Sequence, residues 1–511
     1  MLGSLSLLLL AGAVATTPCG ALGSLSTSHA TIATAEMIPA GPFVQPADGR
    51  GAPPAPTARG VPPAGRGLAP GGRGQAPPSL PAHCRVTAVL KPTSDSNINV
   101  ELWMPAESWN GKFLAVGNGG FAGSIQGYGD MQTALRLGYA TAGTDTGHSA
   151  ADGPNGMFAL GHPEKVVDFA DRAVHEMTVK SKEVISAFYD RSARYSYFKG
   201  CSTGGREAVM AAQRYPLDFD GIIAGALANR HIHMHTAGFA RSVNLARNPD
   251  QAISQVKAQM VTAAVMQKCD TLKEGFLNNP RQCSFDFSTL LCMGAEADTC
   301  LTRPQLQAVE DYYGGLKNRK GELIFSGQAL GNPMPALRSA PPAQVIDTVR
   351  IWAFQNPDYD WKTFDLDRDM PIIDGKIGFV DAVDPDLNTF KAHGGKLLLY
   401  AGWADTAITP ENTVLYYESV LEKMGKSQDA WMRLFMVPGM AHCGGGPGPN
   451  TFDTIGTMEY WREKGVAPAQ LTAANAPAAM TRPLCPYPQY AKYKGIGNMK
   501  DAANWVCATQ P

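Results

Sequence analysis

Charge is scarce in this chain. Asp, Glu, Lys and Arg make up 17% of its 511 residues, and 44 Lys and Arg against 45 Asp and Glu leave a formal net charge of −1. So balanced a composition gives neither the basic face that holds nucleic acid nor the field that draws a chain to an anionic surface. Long apolar runs are missing too, and no stretch beyond the first residues is long enough to cross a bilayer. No Lys or Arg precedes Arg50. The opening therefore lacks the basic start of a secretion signal, although Leu5 to Leu10 and Ala13-Val14-Ala15 have the apolar run and small-residue cleavage site of one. Residues 1–18 are read as a signal-like segment, and the chain as secreted or periplasmic. Paired C-x₂₋₄-C spacings are absent as well: Cys269, Cys283, Cys292 and Cys300 are separated by 13, 8 and 7 residues. A structural zinc site is thus a poor reading, and disulfides are the better one.

What is present is a serine in a turn built for exposure. Gly200-Cys201-Ser202-Thr203-Gly204 follows Tyr195 to Lys199, which reads as a strand, and precedes Arg206 to Arg214, which reads as a helix. A G-x-S-x-G turn between strand and helix lifts the serine hydroxyl above a sheet and leaves helix N–H groups free behind it. A serine needs a base, and the base needs an orienting acid. Lys396 to Gly402 reads as a buried parallel strand with Asp405 just past its end. Arg433 to Pro438 reads as the next, with His442 in the glycine-rich loop after it. Ser202, Asp405 and His442 follow one another in the order that α/β hydrolases use. The bland alternative, a glycine-rich turn, an N-capping aspartate and a loop histidine, leaves that order unexplained. Cys201 and Cys443 flank the serine and the histidine, so contact between Ser202 and His442 would bring the two cysteines within disulfide range.

Residues 41–83 are crowded with Pro, Gly, Ala and Arg and cannot build a core. On either side of them lies the first part of a catalytic domain, 19–227. Its strands are expected at Arg85 to Leu90, Asn97 to Trp103, Lys112 to Val116, Ala140 to Thr144, Tyr195 to Lys199 and Gly221 to Ala224, with a helix over Glu164 to Tyr189. Early hairpin-like strands followed by alternating strands and helices point to an α/β sheet. From 228 to 392 the texture changes to short helices and Pro/Gly-rich loops, and sheet signals return only in 393–511. The insertion between late strands is read as a lid over the active strand ends. Within it His231, His233 and His235 could share one face of a strand as metal ligands, but no carboxylate accompanies them, and a loop or helix start with incidental histidines is the better reading. Asp145 and His148 precede the serine and are read as support for the site. Gly117-Asn118-Gly119-Gly120 is followed by no P-loop lysine, which argues against a phosphate cradle.

These segments, with Trp109-Asn110-Gly111, Thr144 to His148, Val437 to Pro447 and Arg482-Pro-Leu-Cys-Pro-Tyr-Pro488, resemble the tannase and feruloyl esterase family from about Cys19 to the C-terminus. The resemblance implies an α/β-hydrolase fold with a large lid, Ser202 as nucleophile, His442 as base, Asp405 as its acid, and an oxyanion hole of the Gly120 and Thr203 N–H groups. With sequence proximity it implies the disulfides Cys19–Cys84, Cys201–Cys443, Cys269–Cys283, Cys292–Cys300 and Cys485–Cys507. It implies a secreted serine esterase that cleaves small esters of aromatic acids and needs no cofactor. It also implies a lid that holds the acid; Arg338, Arg350, Trp352, Phe354 and Tyr359 lie in that half of the lid without an assignable role. Many members carry a calcium loop there. Here Cys269 to Cys283 keeps only Asp270 and Glu274 as carboxylates, and Lys273 stands among the expected ligands, so calcium binding is expected to be weak or absent, with the disulfide and the Lys273 ammonium in its structural place. No nucleic acid or membrane partner is expected, and the chain is expected to be a monomer or a weak oligomer. The alternatives kept open are an activity of the mono(2-hydroxyethyl) terephthalate hydrolase type and a catalytically silent aromatic-ligand binder.

Overall fold

A computed structural model describes residues 15–45 and 79–509. Most of the signal-like segment and of the Pro/Gly-rich stretch lie outside these residues. Among the described residues one nine-stranded sheet organises the chain: β1 (Ala30–Ile38), β2 (His83–Leu90), β3 (Ile98–Pro105), β4 (Lys112–Val116), β5 (Ala140–Thr144), β6 (Tyr195–Cys201), β7 (Gly221–Gly225), β8 (Lys396–Gly402) and β9 (Met432–Val437). Their order across the sheet is β1-β2-β3-β5-β4-β6-β7-β8-β9. β1, β2, β3 and β5 pair antiparallel in succession, and from β5 to β9 every pair is parallel. β1 has mostly exposed or half-buried residues, and its pattern gave no strand signal in the sequence.

The parallel strands are covered on both faces, which is why they read as apolar runs rather than as alternating ones. Leu397, Leu399 and Ala401 of β8 face one core with Phe198 and Ile222. Leu398 and Tyr400 face the other with Tyr197 and Ile223. Helices cover the sheet: α1 (Tyr128–Arg136), α2 (Ala173–Tyr189), α3 (Thr203–Arg214), α6 (Pro410–Met424) and α7 (Thr454–Lys464). The helix expected over 164–189 begins at Pro163 and contains one π-helical turn, Asp168–Arg172, before α2. Arg206 uses the carbonyls of that turn, donating to Phe169 O (2.8 Å) and Ala170 O (2.6 Å). π-helical turns of this kind often lie at functional sites.

Between β7 and β8 the chain leaves the sheet. It forms α4 (His231–Arg247), α5 (Arg303–Gly314) and further helices, among them Gln255–Cys269 and Leu366–Ile377, around two cores of their own, one built on Leu245, Val261 and Val309, the other on Phe239, Trp352 and Ile373. The second core also takes in Phe121, Phe158 and Phe169 from the sheet domain, so the insertion is seated on the sheet domain by aromatic packing. The cysteines pair as Cys19–Cys84, Cys201–Cys443, Cys269–Cys283, Cys292–Cys300 and Cys485–Cys507, and none is free. No helix among the described residues is long and apolar enough to cross a membrane.

Candidate active site

Ser202 stands between β6 and α3 with φ 65° and ψ −123°, a conformation that costs energy for any residue with a side chain. Three glycines make the turn feasible. A Cβ on Gly200 would lie 2.2 Å from Gly204 O, one on Gly205 2.3 Å from Gly225 O, and one on Gly117 2.7 Å from Gly204 Cα. The loop after β4 therefore packs backbone to backbone against the serine turn. Gly204 N donates to Asn118 O (2.7 Å), and Thr203 Oγ1 donates to Gly120 O (2.7 Å). The Thr203 and Gly120 N–H groups donate to no acceptor among the described residues. They are free to meet negative charge that develops beside Ser202.

Asp405 and His442 follow the ends of β8 and β9, the two strands after the insertion. Asp405 is 1% exposed; its Oδ1 accepts from Ala407 N (2.8 Å) and Ile408 N (2.9 Å), which turns Oδ2 toward His442 Nδ1 at 2.8 Å. His442 sits in a loop that leans on glycines: Gly439, Gly445 and Gly446 have positive φ, and a Cβ on Gly446 would lie 2.4 Å from Gly439 O. The hydrogen bond between Ser202 and His442 that the sequence leads one to expect is not formed, and Ser202 Oγ has no hydrogen-bond partner among the described residues. The two loops are joined instead by Cys201–Cys443, whose Cα atoms are 5.9 Å apart across 242 residues of sequence. Hydrogen bonds of this kind commonly tighten only when substrate is bound.

Two charged residues behind the serine went unassigned in the sequence. Glu207, 2% exposed, accepts from Asn118 N (3.0 Å) and holds the glycine loop; burial raises its carboxyl pKa, against the Arg206 charge beside it. Arg206, fully buried, ties α3 to the π-helical turn and to Val380 O of the insertion (3.3 Å). The signal was a charged pair inside an otherwise small and apolar stretch, Gly204 to Ala212.

The remaining sequence candidates make no hydrogen bond to these three side chains among the described residues, and Asp145 O accepts from Gly123 N (3.1 Å) in the loop that carries Gly120. Asp145 accepts from Asn99 N (2.9 Å) and Gly147 N (2.9 Å) and so fixes the end of β5. His148 stacks on Phe158 with ring centroids 3.7 Å apart, and burial pushes its pKa down to about 4. His231, His233 and His235 lie on α4, a helix, so the shared strand face does not exist. His235 Nδ1 pairs with Thr348 Oγ1 (2.6 Å), His233 meets Asp381 (2.7 Å) and Asp374 (3.3 Å), and His231 is enclosed by Phe121, Phe169 and Trp352. Among the described residues no group of three or more His, Cys, Asp or Glu is placed to hold a metal ion.

In the Cys269–Cys283 loop, Asp270 accepts from Glu274 N (3.1 Å) and Gly275 N (2.8 Å), while Glu274 pairs with Arg482 (2.5 Å). The cation in this loop's ion pair is Arg482, which lies 3.6 Å from the Trp505 ring centroid, and not Lys273 as the sequence suggested. Of the five lid residues left unassigned, Trp352 stacks on Phe121, the neighbour of Gly120, at 4.7 Å. Arg350 is held by Asp347 (2.7 Å), Phe354 stacks on Tyr359 (5.0 Å), and Arg338 is exposed.

A mostly parallel sheet with a strained serine after one strand, and a buried aspartate and a histidine after the two strands that follow the insertion, defines an α/β hydrolase. The pattern of the family described as tannase and feruloyl esterase matches residues 84–508. An uncharacterized esterase of Xanthomonas campestris is 36% identical over 98% of this chain and 93% of its own length. A probable feruloyl esterase B of Aspergillus clavatus is 32% identical over 83% of this chain and 86% of its own length. The crystal structure of feruloyl esterase B from Aspergillus oryzae superposes with a TM-score of 0.83 at 29% identity, covering 95% of this chain and 98% of that one. The tannin acyl hydrolase from Aspergillus niger shares the fold, with a TM-score of 0.73 at 20% identity over 95% of this chain and 93% of that one. The chain belongs to the tannase and feruloyl esterase family, and it is a carboxylic ester hydrolase.

Proposed function

We propose that the chain hydrolyses small esters of aromatic carboxylic acids through an acyl-enzyme on Ser202. The observation that carries this reading is the Asp405–His442 pair, 2.8 Å apart, bridged by a disulfide to the turn of a strained serine with two unused N–H groups beside it. His442 takes the Ser202 proton as Oγ bonds to the ester carbonyl carbon. Thr203 and Gly120 N–H groups hold the oxyanion. When the intermediate collapses, the ester C–O bond breaks and His442 returns the proton to the leaving alcohol. Water, activated by the same histidine, then releases the acid and restores Ser202. Asp405 keeps His442 in the tautomer that can accept the proton and stabilises the imidazolium.

The aromatic acid is supported by the feruloyl esterases among the relatives and by the rings of Phe121 and Trp352 beside Gly120. Residues 228–392 act as the lid. The chain works without a cofactor and as a monomer or weak oligomer; Asp270 and Glu274 are committed to loop N–H groups and to Arg482, so dialysis against a chelator leaves Tm and turnover unchanged. Ten paired cysteines support a secreted or periplasmic location. The test is hydrolysis of methyl ferulate, methyl gallate and mono(2-hydroxyethyl) terephthalate side by side with Ser202→Ala. Turnover of at least one that vanishes in the variant is expected, and turnover that persists in the variant would overturn the assignment.

A further inference from the structure

A cavity lies in the insertion, with none of Ser202, Thr203, Asp405 or His442 in its wall. It has a volume of 560 Å³ and is enclosed by one side of α4, the end of α5 and residues 364–367. That size is within the range of small-molecule sites. Ala237, Ala240 and Val243 of α4 with Phe364 and Leu366 make its apolar surface.

Arg241 is part of the same wall. It is half-buried, its guanidinium lies 5.2 Å from the Tyr312 ring centroid, and it makes no hydrogen bond or ion pair with any described residue. Apart from two at the rim, the other charged side chains of the wall have hydrogen-bond or ion-pair partners among the described residues. Arg247 donates to Lys362 O (2.7 Å) and Phe364 O (2.8 Å), Arg319 pairs with Asp365 (2.7 Å) and Asp367 (3.4 Å), and Asp311 accepts from Gln307 (2.9 Å). Glu310 and Lys317 are exposed at the rim with opposite charges. Burial lowers the pKa of Arg241 by more than Tyr312 and the Asp311 carboxylate raise it, and a guanidinium drawn out of water without a hydrogen-bonded anion is costly. Its planar fork matches one kind of anion best, a carboxylate taken by two parallel N–H donors.

We propose that this cavity is a second binding site, separate from Ser202, for a small organic carboxylate whose body rests on the apolar wall of α4 and whose anion pairs with Arg241. An aromatic acid and a sugar acid both carry that chemistry, and the reading does not depend on the ester hydrolysis.

Calorimetric titration of the full chain with ferulate and, separately, with galacturonate tests it, with coniferyl alcohol and galactose as their neutral counterparts. At least one acid is expected to occupy this site, with its neutral counterpart at least about tenfold weaker, the loss of one charge-assisted pair. Arg241→Gln should weaken that acid by a similar factor. Ala240→Phe, which fills the cavity and keeps the arginine, should abolish the same isotherm and serves should Arg241→Gln not fold. The acid that binds tells the aromatic source from the sugar source. Binding of neither acid, equal binding of the neutral counterparts, or an isotherm that survives both variants would overturn the proposal.

Discussion

His442 and His231 show two ways to keep an imidazole in one protein. The His442 side chain is 20% exposed at the end of a strand, with a buried carboxylate on Nδ1 and no partner on the other nitrogen among the described residues. The His231 side chain is 1% exposed under a ring of aromatics, and neither of its nitrogens has a partner among the described residues. Burial without a carboxylate pushes His231 well below its ordinary pKa, so it stays a neutral ring. What separates a base from a piece of core is thus the acid beside it and the opening above it, not the residue type.

The largest break in this comparison comes from the base itself. His442→Ala is expected to lower kcat by about 10⁶-fold with little change in KM, read in steady-state kinetics with the best ester substrate. Asp405→Asn deprives His442 of its carboxylate and moves it toward the condition of His231; kcat should fall by about 10⁴-fold, through the wrong tautomer, with the fold intact.

Acid sharpens the contrast. Burial holds both His148 and His235 at about 4, whereas a histidine in the unfolded chain titrates near 6.5. Between those values the unfolded chain binds protons that the folded chain refuses. Stability therefore rises with pH across that window and is lost as pH falls from about 6.5 to about 4, at up to ~1.4 kcal/mol per pH unit for each histidine. His233 behaves oppositely: burial lowers it, but Asp374 and Asp381 outweigh that and raise it to about 9, so its stabilisation is complete below about 6.5, declines as pH rises from there to about 9 and is gone above it. Urea midpoints measured from pH 7 to pH 4 should fall, and His148→Gln should flatten the slope. The smallest effect is expected for His231→Phe, which exchanges one buried ring for another and removes two orphaned nitrogens; turnover within a few-fold of the parent, and no loss of Tm, would match its place as core.

Much of this was legible in the chain because strand physics is local. Lys396 to Gly402 and the strand from residue 432 to 437 are short apolar runs bounded by turn residues, and such runs in an α/β chain have few other uses. The glycines at 117, 200, 204 and 205 were legible for the same reason, since backbone contact forbids a Cβ. β1 was missed because Thr31, Thr34 and Glu36 at an exposed sheet edge carry no buried face. Lys273 was favoured over Arg482 because it lies inside the loop in sequence, while Arg482 reaches Glu274 across 208 residues. The absent Ser202–His442 hydrogen bond was beyond the sequence altogether: residue order places both groups at neighbouring strand ends, and does not fix whether their atoms come within bonding distance.

The insertion leaves from β7 and returns into β8, two strands that are hydrogen-bonded neighbours with Gly221 beside Lys396 and Gly225 beside Tyr400. Whatever lies between those ends, the sheet closes in the same register. The region is in that sense a cassette with a fixed socket: any replacement has to supply again the carbonyl that Arg206 uses and the amide with which Asn332 donates to Asp405 O (3.1 Å).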